Sequence, residues 1–171
     1  ADFDPGAGTI SYTSTEEDDI FVQKMDANGN FLWARSFGGT YEDLCHSIVD
    51  ASGNVYNTGS FYETFDCDPG PGTSYLTTLG AIAVFVQKLD ADGNFLWARS
   101  FGGTSATDGA STGKMTVDSA GNMYTTGYFF GTVDFDPGAG TSNLAAVGNT
   151  DIFVQKMGQT PSDIIDLGSG I

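Results

Sequence analysis

An aspartate pair followed by Pro-Gly stands at three places in the chain and is the strongest candidate for chemistry. The motif reads Asp-x-Asp-Pro-Gly and ends at Gly6, Gly70 and Gly138. Two carboxylates in this spacing can direct oxygens toward one point, and Ca²⁺ takes about six to eight hard oxygen ligands. An alternative is that each aspartate caps a turn, while Phe3 and Phe135 inside the motif fill the core. The predicted Ca²⁺ ligands are Asp2, Asp4, Asp66, Asp68, Asp134 and Asp136.

Aromatic side chains that recur at matching positions suggest a second kind of site, one that binds sugars. Aromatic faces stack on sugar rings, and some lectins repeat one such site in every structural unit. The competing interpretation is that each Trp, mid-strand beside Phe and Leu, packs in the core, where burial contributes about 1.5 to 3 kcal/mol per side chain. The ligand-binding residues on the lectin hypothesis are Trp33, Trp97, Tyr56 and Tyr124.

Catalysis finds little support in the sequence. His46 is the single histidine, and its neighbour Cys45 would point to the opposite face of a strand. No serine or cysteine motif of the nucleophilic type is present. Carboxylate pairs repeated in every unit indicate repeated structure, whereas an active site is normally unique. We therefore expect a chain that is not an enzyme; a remaining alternative is the non-catalytic part of a larger secreted enzyme.

The charge balance excludes two classes of partner. The 171 residues include 22 acidic and 6 basic ones, for a formal net charge of −16. Such a surface repels phosphate backbones and anionic lipid headgroups. No apolar run reaches the length of about 18 residues that spans a bilayer. We expect no nucleic acid partner and no membrane insertion, and divalent cations are the natural counter-charge.

Internal repeats organise the chain and must position these candidate residues. The tetrapeptide Phe-Val-Gln-Lys begins at Phe21, Phe85 and Phe153, and the segment 29–39 recurs letter for letter at 93–103. The motif Gly-Asn-x-Tyr-x-Thr-Gly also occurs twice. The predicted division is repeat 1 at 1–65, repeat 2 at 66–133, a partial repeat 3 at 134–157 and a tail without repeat character at 158–171.

Each full repeat is predicted to contain four antiparallel strands that form one blade, so the fold class is all-β. Asp-x-x-Gly turns support this prediction, because they place an acid at the turn start and a glycine where positive φ is needed. A single blade cannot bury both faces of its sheet, so such units are stable only when stacked. In the first repeat the strands are expected at about 20–26, 30–37, 44–50 and 54–64.

These motifs resemble a known family, the bacterial β-propeller repeat of the seven-bladed type. The shared elements are Gly-Asn-x-Tyr-x-Thr-Gly, Asp-x-x-Gly-Asn and Phe-Val-x-Lys-x-Asp, and they cover nearly the whole chain. The resemblance implies large secreted or surface-attached bacterial proteins, including those exported by the type IX secretion system. Two full repeats and the first strand of a third are fewer blades than a closed propeller needs.

Closure therefore requires partners, either further repeats of the same protein or other copies of the chain. Two arrangements are open: a ring, or a filament in which a lone strand at 151–157 completes the next subunit's sheet. The sequence thus predicts a structural or adhesive β-propeller module at an extracellular or cell-surface location, stiffened by Ca²⁺. The main alternative is a lectin-like propeller that binds surface glycans.

Overall fold

The computed structural model describes residues 1–14, 19–39, 44–159 and 164–165, and every regular element in these ranges is a β-strand. The predicted all-β class is confirmed. The described residues include no helix with the length and apolar character needed to cross a membrane. The strands are β1 (Ile20–Met25), β2 (Phe31–Gly39), β3 (Leu44–Val49), β4 (Val55–Phe61), β5 (Thr64–Asp66), β6 (Tyr75–Thr77), β7 (Ala83–Leu89), β8 (Phe95–Gly103), β9 (Gly109–Val117), β10 (Met123–Phe130), β11 (Thr132–Asp134), β12 (Asn143–Ala145), β13 (Asp151–Met157) and β14 (Ile164–Ile165).

These strands form three sheets. The central sheet contains the meander β3-β4-β7-β8, in which each strand is antiparallel to the next, and it continues through β11 and β12. The sheet before it joins β1 and β2 to β5 and β6, and the sheet after it has the order β14-β13-β10-β9. The meander is a complete four-stranded blade, which agrees with the predicted blade architecture.

The blade does not coincide with one repeat of the sequence, and the prediction that the four strands of a repeat share a sheet is wrong. The central blade takes β3 and β4 from the first repeat and β7 and β8 from the second. Asp-x-x-Gly turns fix only which strands form hairpins. The sequence between β2 and β3 and between β4 and β7 contains no Asp-x-x-Gly motif, so sequence alone did not show which hairpins share a sheet. The boundaries 1–65, 66–133 and 134–157 stay a description of the sequence.

The third copy of the Phe-Val-Gln-Lys strand is not a lone strand. β13 pairs with β10 along its whole length, from Asp151 opposite Phe129 to Met157 opposite Met123. Its other edge pairs with β14. The expectation of a lone strand is corrected accordingly: β10 pairs with one edge of β13 along its whole length, and β14 pairs with the other edge at Lys156 and Met157.

Two short hairpins that the sequence did not predict connect neighbouring sheets. β5 and β6 lie in the chain between β4 and β7 of the central blade, yet β5 pairs with the end of β2, where Gly38 is opposite Asp66. β11 and β12 repeat this arrangement on β8, where Gly102 is opposite Asp134. The connection inside each blade therefore extends the last strand of the preceding blade.

Apolar clusters fill the space between the sheets. Phe37, Phe61, Phe65 and Phe85 belong to the cluster between the first hairpin and the central blade, and Cys67 is buried with them. Two further clusters lie between the central blade and β9, β10 and β13. Strand β7 is buried on both faces, since its side chains alternate between the two interfaces. The central blade is thus covered on both sides.

Matched substitutions at Phe85 and Phe21 test this layered packing, because the two residues hold the same position in their repeats. Phe85 is fully buried, whereas Phe21 is 55% exposed. We expect Phe85→Ala to lower the free energy of unfolding by about 3 to 5 kcal/mol. Phe21→Ala should lower it by less than about 1 kcal/mol. Urea denaturation measures both values, and equal losses would contradict the assignment of these faces.

Candidate functional site

The Asp-x-Asp-Pro-Gly loops are closed by their own carboxylates. Asp66 Oδ1 accepts hydrogen bonds from the backbone N–H of Asp68 at 3.0 Å and of Ser74 at 2.9 Å. Asp68 Oδ1 accepts one from Gly70 N–H at 2.8 Å. The first aspartate thus ties the two ends of the loop together, and the second caps the Pro-Gly turn. The same bonds recur in the other two copies.

The second carboxylate also explains a glycine in each loop. A Cβ placed on Gly72 would lie 2.5 Å from Asp68 Oδ2, and Gly8 and Gly140 have the same close neighbour in their loops. Among the residues that the structure describes, no three Asp, Glu, His or Cys side chains converge as a metal site would need. The observed bonds favour the turn-capping interpretation, and Ca²⁺ binding by the six aspartates stays a prediction.

Each loop is anchored to a strand by the glutamine of the Phe-Val-Gln-Lys motif. Gln87 Nε2 donates to the Cys67 carbonyl at 2.6 Å, and Gln155 Nε2 donates to the Phe135 carbonyl at 2.6 Å. Gln23 makes the same bond to Phe3 at 2.5 Å. Sequence reasoning missed this role, although the signal was present: a glutamine that recurs at the same position of a largely apolar strand in three copies.

The tip of the β7–β8 hairpin is the contact point between the first hairpin and the central blade. The Lys24 ammonium and the Trp33 indole N–H both donate to the Ala91 carbonyl, at 2.7 and 3.1 Å. The Arg35 guanidinium donates to the carbonyls of Gly93 and Asp92, at 2.9 and 3.1 Å. It also lies 5.5 Å from the Trp33 ring centre. Side chains of one unit therefore hold a turn of the next.

This turn has a fixed shape that four loops share. In the first, Asp26 Oδ1 accepts from the backbone N–H of Asn28 and Asn30, and Asp26 Oδ2 accepts from the Asn30 side chain. Gly29 supplies the positive φ of 83°. These hydrogen bonds, led by the one from the Asn30 amide, hold the pKa of Asp26 below its usual range. Matching bonds close the turns that begin at Asp50, Asp90 and Asp118.

Two of the four predicted ligand-binding aromatics are buried. Trp33 is only 8% exposed, and Tyr56 is fully buried beneath Lys88, whose nitrogen lies 4.8 Å from the ring centre. The core-packing interpretation therefore fits these two positions, and neither ring has a face open to a sugar. Trp97 and Tyr124 are half-buried, and glycan binding there stays a prediction.

An open groove does lie beside the contact between the first hairpin and the central blade, but other residues form it. Its volume is about 520 Å³. Tyr12 and Phe95 supply aromatic surface, and Arg35, Asp68 and Asn94 supply polar groups. None of the four aromatic residues predicted to bind sugars lines it. The structure therefore does not bring those four together in one site.

His46, the single histidine of the chain, lies in β3, the edge strand of the central blade. It is half-buried and stands opposite Thr58 in β4. Cys45, its neighbour in β3, packs against the apolar cluster on the other face. The alternation expected from the sequence is therefore observed.

Comparison with known proteins supports a repeat module of this architecture. No family model matches the chain, so the resemblance to the bacterial seven-bladed repeat family finds no support from that comparison. The chain is 31% identical over 167 residues to an uncharacterized WD repeat-containing protein of Acanthamoeba polyphaga mimivirus. The alignment covers 87% of this chain and 11% of that protein, so the chain spans about a tenth of its relative.

The described part of the chain has an architecture consistent with propeller-like blades. The relative's WD repeats, the all-β fold and the four-stranded central blade agree on this point. The extracellular location, the surface glycans as partners and the export route stay predictions.

Substitutions at two turn glycines test the contact at the hairpin tip. Gly29 and Gly93 have φ angles of 83° and 77°, so alanine strains both turns. A Cβ on Gly93 would also lie 2.9 Å from the Trp33 ring, whereas Gly29 has open space. We expect Gly29→Ala to cost about 1 to 2 kcal/mol, and Gly93→Ala about 1 to 3 kcal/mol more. Thermal or urea unfolding measures both losses of stability. Equal losses in the two variants would show that Trp33 does not pack against the turn at Gly93.

The lowered pKa of the turn aspartates predicts a loss of stability in acid. Since the folded pKa of Asp26 lies below the ordinary value of 3.8, its contribution is complete above that value and disappears as pH falls through the folded pKa. Protonation also weakens the repulsion among the other acidic residues over the same pH range. The contribution of Asp26 is therefore measured as the difference between the wild type and a variant that lacks this carboxylate. Asp26→Asn should lose less stability than the wild type between about pH 5 and pH 2.5. If the free energy of unfolding, measured by urea denaturation, falls equally with pH in both proteins, the Asp26 carboxylate does not stabilise the turn.

Proposed function

We propose that this chain is a structural module of an extracellular β-propeller protein, a segment that builds and presents a surface and carries out no catalysis. The observation that carries the proposal is how the repeated polar side chains are used. Gln23, Gln87 and Gln155 anchor loops, while Lys24 and Arg35 grip the next hairpin. The residues that the repeats retain therefore serve contacts between units.

The acidic surface supports an extracellular role in which Ca²⁺ stiffens the loops. A net charge of −16 favours association with divalent cations, and three loops with the same Asp-x-Asp-Pro-Gly motif each present two carboxylates. The Oδ1 atoms of these carboxylates already accept backbone N–H bonds. A bound Ca²⁺ would then be coordinated by the Oδ2 atoms and by loop carbonyls. Oxygen atoms of a neighbouring unit would complete its coordination shell.

Substitutions in the middle loop separate ion binding from turn capping. The double variant Asp66→Asn, Asp68→Asn keeps an Oδ1 acceptor at each position but removes both charges, whereas the double alanine variant removes the acceptors as well. On this proposal, millimolar Ca²⁺ raises the melting temperature of the wild type by about 4 °C or more, equivalent to about 1 kcal/mol. In the asparagine variant, Ca²⁺ should raise the melting temperature by less than in the wild type. Without Ca²⁺, the variant and the wild type should melt at the same temperature.

Two controls make the test decisive. Mg²⁺ at the same concentration should give a smaller shift, since it demands octahedral geometry and keeps its waters. The alanine variant should melt lower than the wild type with or without Ca²⁺, because the capped turns lose about 1 kcal/mol per hydrogen bond. Equal Ca²⁺ shifts in the wild type and the asparagine variant would reject the loops as ion sites and leave them as turn caps.

A further inference from the structure

The two end units of the chain each expose an apolar sheet face. On β13 and β10, Ile152 is 85% exposed, Val154 57% and Tyr128 49%. On β1, Phe21 is 55% exposed and Met25 49%. We call the first group the β13 face and the second the β1 face. Exposed apolar groups of this extent commonly mark a contact with another protein surface.

The repeat shows what covers the β13 face, because the central blade carries the same face in buried form. Ile152 and Val154 hold the positions of Val84 and Val86, which are both fully buried. Val84 shares a cluster with Phe153, and Val86 shares another with Met157. In the central blade, the face is therefore covered by the next unit, in which β9 and β10 contribute together with the Phe-Val-Gln-Lys strand β13.

The β1 face carries the side chains that perform this covering. Phe21 and Met25 hold the positions of Phe153 and Met157 in the same motif. Phe3 packs on Phe21 with ring centres 4.8 Å apart, just as Phe135 packs on Phe153 at 5.2 Å. One end of the chain thus exposes an apolar face of the kind that is buried in the central blade, and the other end exposes a copy of the β13 residues that help to cover it.

We propose that the chain associates head to tail with a second copy of itself, the β13 face of one copy packing on the β1 face of the next. The inference rests on the proposed structural role and names the partner of that module. It commits to a second copy because the residues on both sides of the contact have counterparts inside the chain, in the clusters that β7 and β13 share. The faces differ from each other, so the contact is heterologous and can continue from copy to copy.

The polar contacts of the internal interface indicate the register of this association. Lys24 donates to the carbonyl of Ala91 at the tip of the next hairpin. Lys156 holds the position of Lys24, and Ala27 holds that of Ala91. In the assembled pair, Lys156 of one copy reaches the Ala27 carbonyl of the next, at a turn whose Asp26 carboxylate adds favourable charge.

Both faces are apolar, so burial of apolar surface favours their contact. The net charge of −16 opposes association, and added salt screens it. The mass of the chain in solution should therefore rise with protein concentration and rise further with NaCl. This salt response is opposite to that of an association held together by surface ion pairs.

Sedimentation velocity from micromolar to several hundred micromolar protein tests the proposal. The β13-face variant is Ile152→Lys, Val154→Lys, and the β1-face variant is Phe21→Lys. Each added lysine reduces the net negative charge, so weaker association cannot come from greater repulsion. Val147→Lys is the matched control, since Val147 is 92% exposed outside both faces. We expect each face variant to lose association by on the order of tenfold or more, and the control to behave as the wild type.

Mixing the two face variants distinguishes this contact from any other self-association. Each variant retains one intact face, so an equimolar mixture should form one-to-one pairs and nothing larger, while each variant alone stays monomeric. A wild type that is monomeric at the highest concentration in high salt overturns the proposal. Oligomers that persist in both face variants overturn it as well.

Circular dichroism keeps this test separate from the proposed function. A monomer with a β-sheet spectrum and one cooperative melt rejects head-to-tail association but leaves the structural module intact. Enzymatic turnover by the folded chain would instead reject the structural proposal without affecting the measured mass. Phe21 is already exposed, so Phe21→Lys should melt close to the wild type and remain informative if the β13-face variant is unstable.

Discussion

A four-stranded sheet with apolar side chains on both faces must be covered twice, and this constraint explains the rest of the structure. Strand β7 illustrates it: Phe85 belongs to one cluster and the adjacent Val84 to another. Both side chains are fully buried because sheets lie on each side. A blade of this kind gains its stability from the units beside it, since burial of apolar area is the dominant favourable term in folding.

Contact between apolar faces alone would leave the blades free to slide, and the polar contacts remove that freedom. The Asp-x-x-Gly-Asn turn is rigid because a single carboxylate binds three N–H groups. A rigid turn can be held at defined points, and Lys24, Trp33 and Arg35 bind its carbonyls from the preceding unit. The β5–β6 and β11–β12 hairpins add backbone pairing to the neighbouring unit. Orientation between units is therefore set by hydrogen bonds, and affinity by packing.

The features that depend on local sequence were predictable. Asp and Gly at fixed offsets gave the four turns, and the Gly29 φ of 83° shows why glycine stands there. Alternating apolar residues gave the strands and the blade. The assignment of hairpins to sheets was not predictable, because the repeat is cyclic and any starting point gives four strands. Only tertiary packing decides that β4 pairs with β7.

The candidate site residues show the same difference between features set by local sequence and features set by tertiary packing. The aspartates of the Asp-x-Asp-Pro-Gly motif were found, but their chemistry depended on distances to N–H groups such as that of Ser74, which lies outside the motif. The loop-anchoring glutamines were passed over because glutamine is not by itself a reactive side chain. Their recurrence in an otherwise apolar strand was the available signal, since a buried amide must be hydrogen-bonded. Gln87 meets that requirement with Cys67 and with Asn57, whose amide donates to it at 2.5 Å.

Identical segments in different surroundings show why environment decides function here. Residues 29–39 and 93–103 have the same sequence, yet Trp33 is buried and Trp97 is only half-buried. The difference arises because Trp33 faces the Asp90–Gly93 turn of a following hairpin, whereas the chain after β13 has a different sequence. A tryptophan that binds a turn in one unit is thus partly open in the next. In a repeat protein of this kind, matching side chains recur from unit to unit, and contacts with the neighbouring units decide which of them remain exposed.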